Sequence, residues 1–163
     1  MMSDGYFDTG VAATYDDDID SSDSKIVDPV VDFLAELAGG GRALEFGVGT
    51  GRIALPLAMK GIEVHGIDLS QAMLAKLTEK TGGDRIYVTQ GDFVTTSCEG
   101  PFALVYLIFN TIMNLTTQDE QVRCFQNAAL HLEPGGRFVI EVMVPALQLI
   151  PFGETRRVFE FRD

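Results

Sequence analysis

The sequence predicts an α/β fold, a doubly wound and mainly parallel sheet with helices on both faces. Three observations carry the prediction. Short apolar runs alternate along the chain with amphipathic stretches, the pattern of parallel strands joined by crossover helices. One run, Phe102 to Phe109, is apolar throughout, as a strand buried on both faces must be. A glycine-rich turn follows the first strand candidate, at the place where open parallel sheets bind ligands.

Residues 1–27 read as an acidic, loop-like N-terminal arm. Asp28-Pro29 then reads as an N-cap with proline at the first helical position. Val30, Val31, Phe33, Leu34 and Leu37 follow at helical spacing, and Gly39-Gly40-Gly41 ends the helix. Ala43 to Phe46 is the first strand. Arg52 to Met59 is a helix whose Pro56 should weaken its first turns. Glu63 to Ile67 is the second strand. Ser70 caps a helix with Met73, Leu74 and Leu77 on its apolar face, ended by Gly82-Gly83. Ile86 to Thr89 is the third strand and Ala103 to Phe109 the fourth. Thr117 and Glu120 form a capping-box signature before a helix with Val122, Phe125, Ala129 and Leu132 on one face. Glu133-Pro134-Gly135-Gly136 stops it, and Arg137 to Val144 is the fifth strand. The core so defined spans residues 28–150, and residues 151–163 read as the start of a C-terminal or cap segment.

A chain of 163 residues suits one domain. Its net charge of −12 repels phosphate backbones and anionic lipid, so neither nucleic acid nor a membrane is an expected partner. Residues 1–24 hold seven aspartates and no Lys or Arg, and taking those seven charges away leaves −5. The apolar run at 102–109 is too short for a bilayer, which takes about 20 residues, and no signal peptide is recognisable. Cys98 and Cys124 stand far apart, with no metal or disulfide pattern. A cytoplasmic protein with reduced thiols and no metal is expected. His65, inside a strand, reads as a packed residue. His131, at a helix end, reads as a partly charged imidazole suited to the helix dipole.

The chemistry lies in Glu45-Phe46-Gly47-Val48-Gly49-Thr50-Gly51-Arg52. Glycines at alternate positions let the backbone turn tightly and approach a ligand closely. A dinucleotide site prefers Gly-x-Gly-x-x-Gly, with glycine or alanine where this chain has Arg52. Glu45 would repel a pyrophosphate, whereas it suits a ligand carrying an ammonium and a sulfonium. Asp68 ends the second strand, where a carboxylate accepts bonds from both hydroxyls of a ribose. Asp92, before Phe93, can take an adenine amino group beside an aromatic ring. Three acids thus end three successive strands.

These residues make the chain resemble the class I S-adenosylmethionine-dependent methyltransferases of small-molecule type, on a Rossmann-like fold. Glu45 to Gly51 is similar to the first motif of that family, Val64 to Ser70 to the second-strand motif, and Gly91-Asp92-Phe93 to the adenine motif. Leu132 to Arg137 is similar to the turn before the fifth strand. The resemblance implies that Glu45 faces the methionine end of S-adenosylmethionine, with Gly47, Gly49 and Gly51 beneath the methionine and ribose. It implies that Asp68 holds the ribose, Leu69 and Met73 flank the adenine, and Asp92 and Phe93 read its edge. Leu107 would touch the cofactor near the sulfur, and Tyr15 of the arm would close over it.

The implied reaction is methyl transfer to a nitrogen or oxygen of a small molecule. Asn110 and Asn114, after the fourth strand, are candidate acceptor contacts, and no strong base stands beside them. Two other readings stay open: an NAD(P)-dependent oxidoreductase, and a module that holds S-adenosylmethionine without catalysis. The family has seven strands, and five are counted here with a sixth candidate at Val158 to Arg162. The expectation is a fragment without its C-terminal strands. Its fifth strand would be an open edge able to pair with a second copy as a homodimer.

Overall fold

The computed structural model describes residue 7 and residues 9–18, 24–144 and 152–153. The elements in order are α1 (Thr9–Asp18), α2 (Ser24–Ala38), β1 (Ala43–Phe46), α3 (Ala54–Met59), β2 (Val64–Asp68) and α4 (Gln71–Glu79). Then follow β3 (Tyr87–Gln90), β4 (Phe102–Leu107), α5 (Gln118–His131) and β5 (Leu132–Ile140). The strands form one sheet in the order β3-β2-β1-β4-β5, and every pairing is parallel. The order reverses between β1 and β4, which puts the switch point where the glycine loop leaves β1. The predicted fold class is the observed one. The expected strand at 158–162 lies outside the described residues.

Alternation along the strands divides the core between the two faces. Ala43, Val64, Leu104 and Tyr106 pack with Val31, Leu34, Leu57 and Leu77 of α2, α3 and α4. Leu44, Phe46, Val105 and Leu107 pack with Cys124 and Ala128 of α5 on the other face. All six residues of β4 are buried, as its unbroken apolar run requires.

Several boundaries differ from the sequence reading, each for a physical reason. The N-terminal arm is not loop throughout, because it contains α1. That helix has little apolar periodicity of its own. It is held by tertiary contacts, with Ala12 buried and Asp16 bonded to the glycine loop. Next, α2 begins at Ser24 rather than at the Asp28-Pro29 boundary, and Pro29 lies inside it. Burial of Val27 on the same face as Val31 extends the helix through the proline at the loss of one backbone bond. Pro56 is the third residue of α3. There its missing N–H costs nothing, since the first-turn donors have no intrahelical acceptor.

The reading of α5 needs two corrections. Its capping box between Thr117 and Glu120 is present, but the buried face is Cys124, Asn127, Ala128 and His131. Val122 and Phe125 are exposed at 48% and 52%. Hydrogen bonding explains the switch: Asn127 donates to the carbonyls of Phe93 and Thr96. The Nε2 atom of His131 accepts the Cys98 N–H, and its Nδ1 faces the Asn127 carbonyl at 2.8 Å. A ring that accepts at Nε2 carries its proton on Nδ1. His131 is therefore a neutral packing residue and not a charge at the helix end. His65 is packed as expected, stacked on Tyr87 at 4.6 Å. Finally, Glu133 to Gly136 lies within β5, which pairs at Leu132 and again from Arg137 to Ile140 across an irregularity opposite Phe102 to Leu104.

Candidate functional site

A cleft opens at the carboxyl end of β1 beside the switch point. The space within it, open solvent at its mouth included, is about 330 Å³. Its walls come from the glycine loop, from α1 and from the turn after β4, and include Tyr15, Glu45, Gly47, Gly49, Arg52 and Phe109. The loop geometry depends on glycine. Gly47 has φ +74°, and a Cβ on it would lie 2.6 Å from Thr111 Cγ2. Gly49 has φ +53°, and its only close neighbour would be Met73 Cε at 3.5 Å. Gly51, at φ +82°, sits instead against Leu77 and Leu55. It lets the loop pack on α4 and does not line the cleft.

Strand register sets out the acids. Glu45 is level with Gly66, two residues before Asp68, and Asp68 is level with Gln90, two residues before Asp92. The first step is about 6.6 Å along the strand direction, so the acids form an oblique line across three strands. Asp68 is held rigidly. Its Oδ2 accepts the Gly49 N–H at 2.7 Å and its Oδ1 the Ser70 N–H at 2.8 Å. Those two backbone donors fix the orientation of the carboxylate. Ser70 also caps α4 by accepting the Met73 N–H.

Glu45 is buried, with Tyr106 donating to its Oε2 at 3.0 Å. Burial drives its carboxyl up to about 8. The Tyr106 bond opposes that rise, the Asp68 charge adds to it, and Arg52 opposes it. At neutral pH the group therefore holds its proton, and an incoming cation favours its release.

The arm reaches the site through α1. Tyr15 lines the cleft, and burial raises its phenol above the ordinary value, so it stays an O–H donor. Asp16 accepts from Thr50 Oγ1 at 2.7 Å and pairs with Lys80 at 2.7 Å. Burial alone would raise its carboxyl, but the Lys80 and Thr50 bonds outweigh burial and hold it below the ordinary value. Lys80 closes the triangle by donating to the Thr50 carbonyl at 2.8 Å. At the other end, Ser70 Oγ donates to the Phe7 carbonyl.

The remaining candidates lie as follows. Leu69 is half-buried beside Asp68, and Met73 is buried beneath Gly49. Asp92 caps its own turn by accepting the Val94 N–H, and Phe93 stacks on Phe46 at 5.6 Å. Leu107 is fully buried on the α5 face of the sheet, and the cleft wall there is formed by Ile108 and Phe109. Asn110 accepts the Met143 N–H through Oδ1, and Asn114 is exposed at the end of a 3-10 turn. The sequence reading passed over Arg52, whose guanidinium carbon lies 3.3 Å from the centre of the Phe109 ring. Its signal was a lone cation in a glycine loop, just before an apolar helix whose dipole disfavours it. Phe109 and Asn110 both have positive φ, 57° and 62°. That is a strained turn for a bulky side chain, costing about 1–2 kcal/mol per residue. Glu141 offsets it by accepting the Phe109 N–H at 2.9 Å.

A parallel sheet with a glycine loop at its switch point, flanked by carboxylates, defines a nucleoside-type ligand site. The family model for a methyltransferase domain matches residues 43–136, and the chain belongs to that family. Among relatives, the cypemycin N-terminal methyltransferase of a Streptomyces species is 29% identical over 119 residues, 73% of this chain and 49% of that protein. The solved CcbJ methyltransferase from Streptomyces caelestis is 38% identical with a TM-score of 0.79, over 94% of this chain and 63% of that one. The amino pentose methyltransferase CalS10 from Micromonospora echinaspora, solved with SAM bound, is 26% identical with a TM-score of 0.67, over 90% and 61%. The chain spans about half the length of the curated relatives it matches.

Proposed function

We propose that this chain is the cofactor-binding part of an enzyme that transfers a methyl group from S-adenosylmethionine to an amine of a small molecule. The carrying observation is the pair of acidic groups at the glycine loop, Asp68 held by two backbone donors and Glu45 buried beneath the loop, where an incoming cation favours release of its proton. Such a site favours a cation and disfavours the pyrophosphate of a dinucleotide, which speaks against the oxidoreductase reading. The names of two relatives, an N-terminal methyltransferase and an amino pentose methyltransferase, support nitrogen as the acceptor atom.

The residues present fit the cofactor. Asp68, oriented by two backbone donors, would hold the ribose hydroxyls, and Glu45 would face the ammonium. Gly47 and Gly49 keep the floor of the cleft open. Bound S-adenosylmethionine would supply a methyl group already activated by its sulfonium charge. The protein's part is then chiefly alignment and exclusion of water. Tyr15 covers the cleft from α1, and Val48, Ile108 and Phe109 supply apolar wall. Among the described residues the lining holds no histidine or lysine, which suits an acceptor that brings its own lone pair.

The test is a calorimetric titration of S-adenosylhomocysteine, with NAD as control. Micromolar binding of the first and none of the second is expected. Binding of NAD alone would overturn the proposal.

A further inference from the structure

The turn that leaves β4 is built against its own sequence. It runs from Ile108 to Thr111, with the Thr111 N–H directed at the Ile108 carbonyl, and both central residues have positive φ, 57° at Phe109 and 62° at Asn110. That is the type I′ pattern, whose central places favour Asn, Asp or Gly. Asn110 suits its place and Phe109 does not. Among the described residues these are the only non-glycine residues with positive φ. Backbone strain of this kind persists only where the surroundings hold it.

The end of β5 and the residues after it do the holding. The Glu141 N–H donates to the Leu107 carbonyl at 2.9 Å, and Glu141 Oε2 accepts the Phe109 N–H at 2.9 Å. Asn110 Oδ1 accepts the Met143 N–H. A bond to a charged acceptor is of the same order as the strain of two left-handed residues. What the strain secures is placement. The Phe109 ring stands in the cleft wall beside Ile108, and Thr111 of the same turn stands there against Gly47.

We infer that Glu141 is a positioning residue that acts through Phe109. By accepting one N–H it keeps the turn in the conformation that sets the ring in the cleft wall. Its role in methyl transfer, keeping water from the acceptor side of the cleft, rests on the function proposed above. The clamp itself needs no ligand.

The chain holds no tryptophan, so Phe109→Trp places a single indole where the ring stands. Its emission and its quenching by acrylamide are read alone, with Glu141→Gln and with Glu141→Met. Glutamine keeps a carbonyl oxygen for the N–H, and methionine does not. Blue-shifted, weakly quenched emission is expected for Phe109→Trp alone and with Glu141→Gln. With Glu141→Met it should shift to the red and quench strongly, while far-ultraviolet circular dichroism stays the same in all three. Amide exchange gives a second measure. In the unaltered chain the Phe109 N–H should be protected, and Glu141→Met should speed its exchange roughly 10- to 100-fold. Emission that Glu141→Met leaves in place would overturn the inference, with the Arg52 stack alone holding the ring. An equal red shift with Glu141→Gln would overturn it too, since charge and not the bond would be at work. An unprotected Phe109 N–H in the unaltered chain would overturn it without any variant. A chain that passes these tests but fails to bind S-adenosylhomocysteine would sink the cofactor proposal and leave the clamp standing.

Discussion

Glu45 and Tyr106 are lateral neighbours on adjacent parallel strands, joined by a 3.0 Å hydrogen bond from phenol to carboxylate on a buried face of the sheet. The bond fixes one acidic oxygen beneath the glycine loop. It does not offset burial, which leaves the carboxyl at about 8 against an ordinary 4.5. Between those values the folded chain holds one proton more than the unfolded chain. This contribution to stability is full below about pH 4.5 and is lost as pH rises towards 8. Glu45→Gln should remove the dependence, on the order of a few kcal/mol. Urea midpoints at about pH 5.5 and about pH 8.5 would show it. An equally steep fall in the variant would clear Glu45 as the cause. Affinity for a cationic ligand should move oppositely, rising over the same window as the carboxylate forms.

Asp68→Ala removes a carboxylate that anchors Gly49 as well as the proposed ribose contact. S-adenosylhomocysteine binding should weaken by about 1.5–3 kcal/mol, typical for bonds to a charged group. Unchanged affinity by calorimetry would sink the ribose role.

Two loop glycines should respond differently to alanine. Gly47→Ala combines positive φ with a Cβ 2.6 Å from Thr111, whereas at Gly49 the nearest atom is at 3.5 Å. Both should lose roughly 1–2 kcal/mol to backbone strain. Gly47→Ala should lose roughly a further 1–3 kcal/mol to overpacking. Thermal melts of the two variants decide it, and equal midpoints would contradict the packing argument.

Asp16 ties α1 to the loop through Thr50 and Lys80. The ion pair is about one-third exposed on each side, so a double-mutant cycle on Asp16→Asn and Lys80→Met should give only about 0.5–1 kcal/mol of coupling. The readout is mechanical: cleavage by added protease within residues 9–18 should quicken in either variant, and more so at high salt in the unaltered chain. A helix as resistant as before would mean that other contacts hold it.

Much of this molecule was legible in its residues because local rules and tertiary packing agreed. The apolar run of β4, the Ser70 cap and the Thr117–Glu120 box all came out as read. Where they disagreed, packing prevailed. The helix α1 carries no periodic apolar face, and its existence depends on partners more than thirty residues away. In α5 the apolar stripe at Val122 and Phe125 is exposed, while Asn127 and His131 are buried because their polar atoms find backbone partners after β3.

The sequence by itself determined the alternation of strands and helices, the glycine loop and the acids that end β1 and β2. These follow from residue type at short spacing. Only the tertiary structure decided which face each side chain takes and which groups meet. It set Leu107 against α5 and Phe109 in the cleft, raised Glu45 by burial, and brought Arg52 to Phe109 across 57 residues of chain. Desolvation and long-range register are properties of the packed sheet, and no window of sequence contains them.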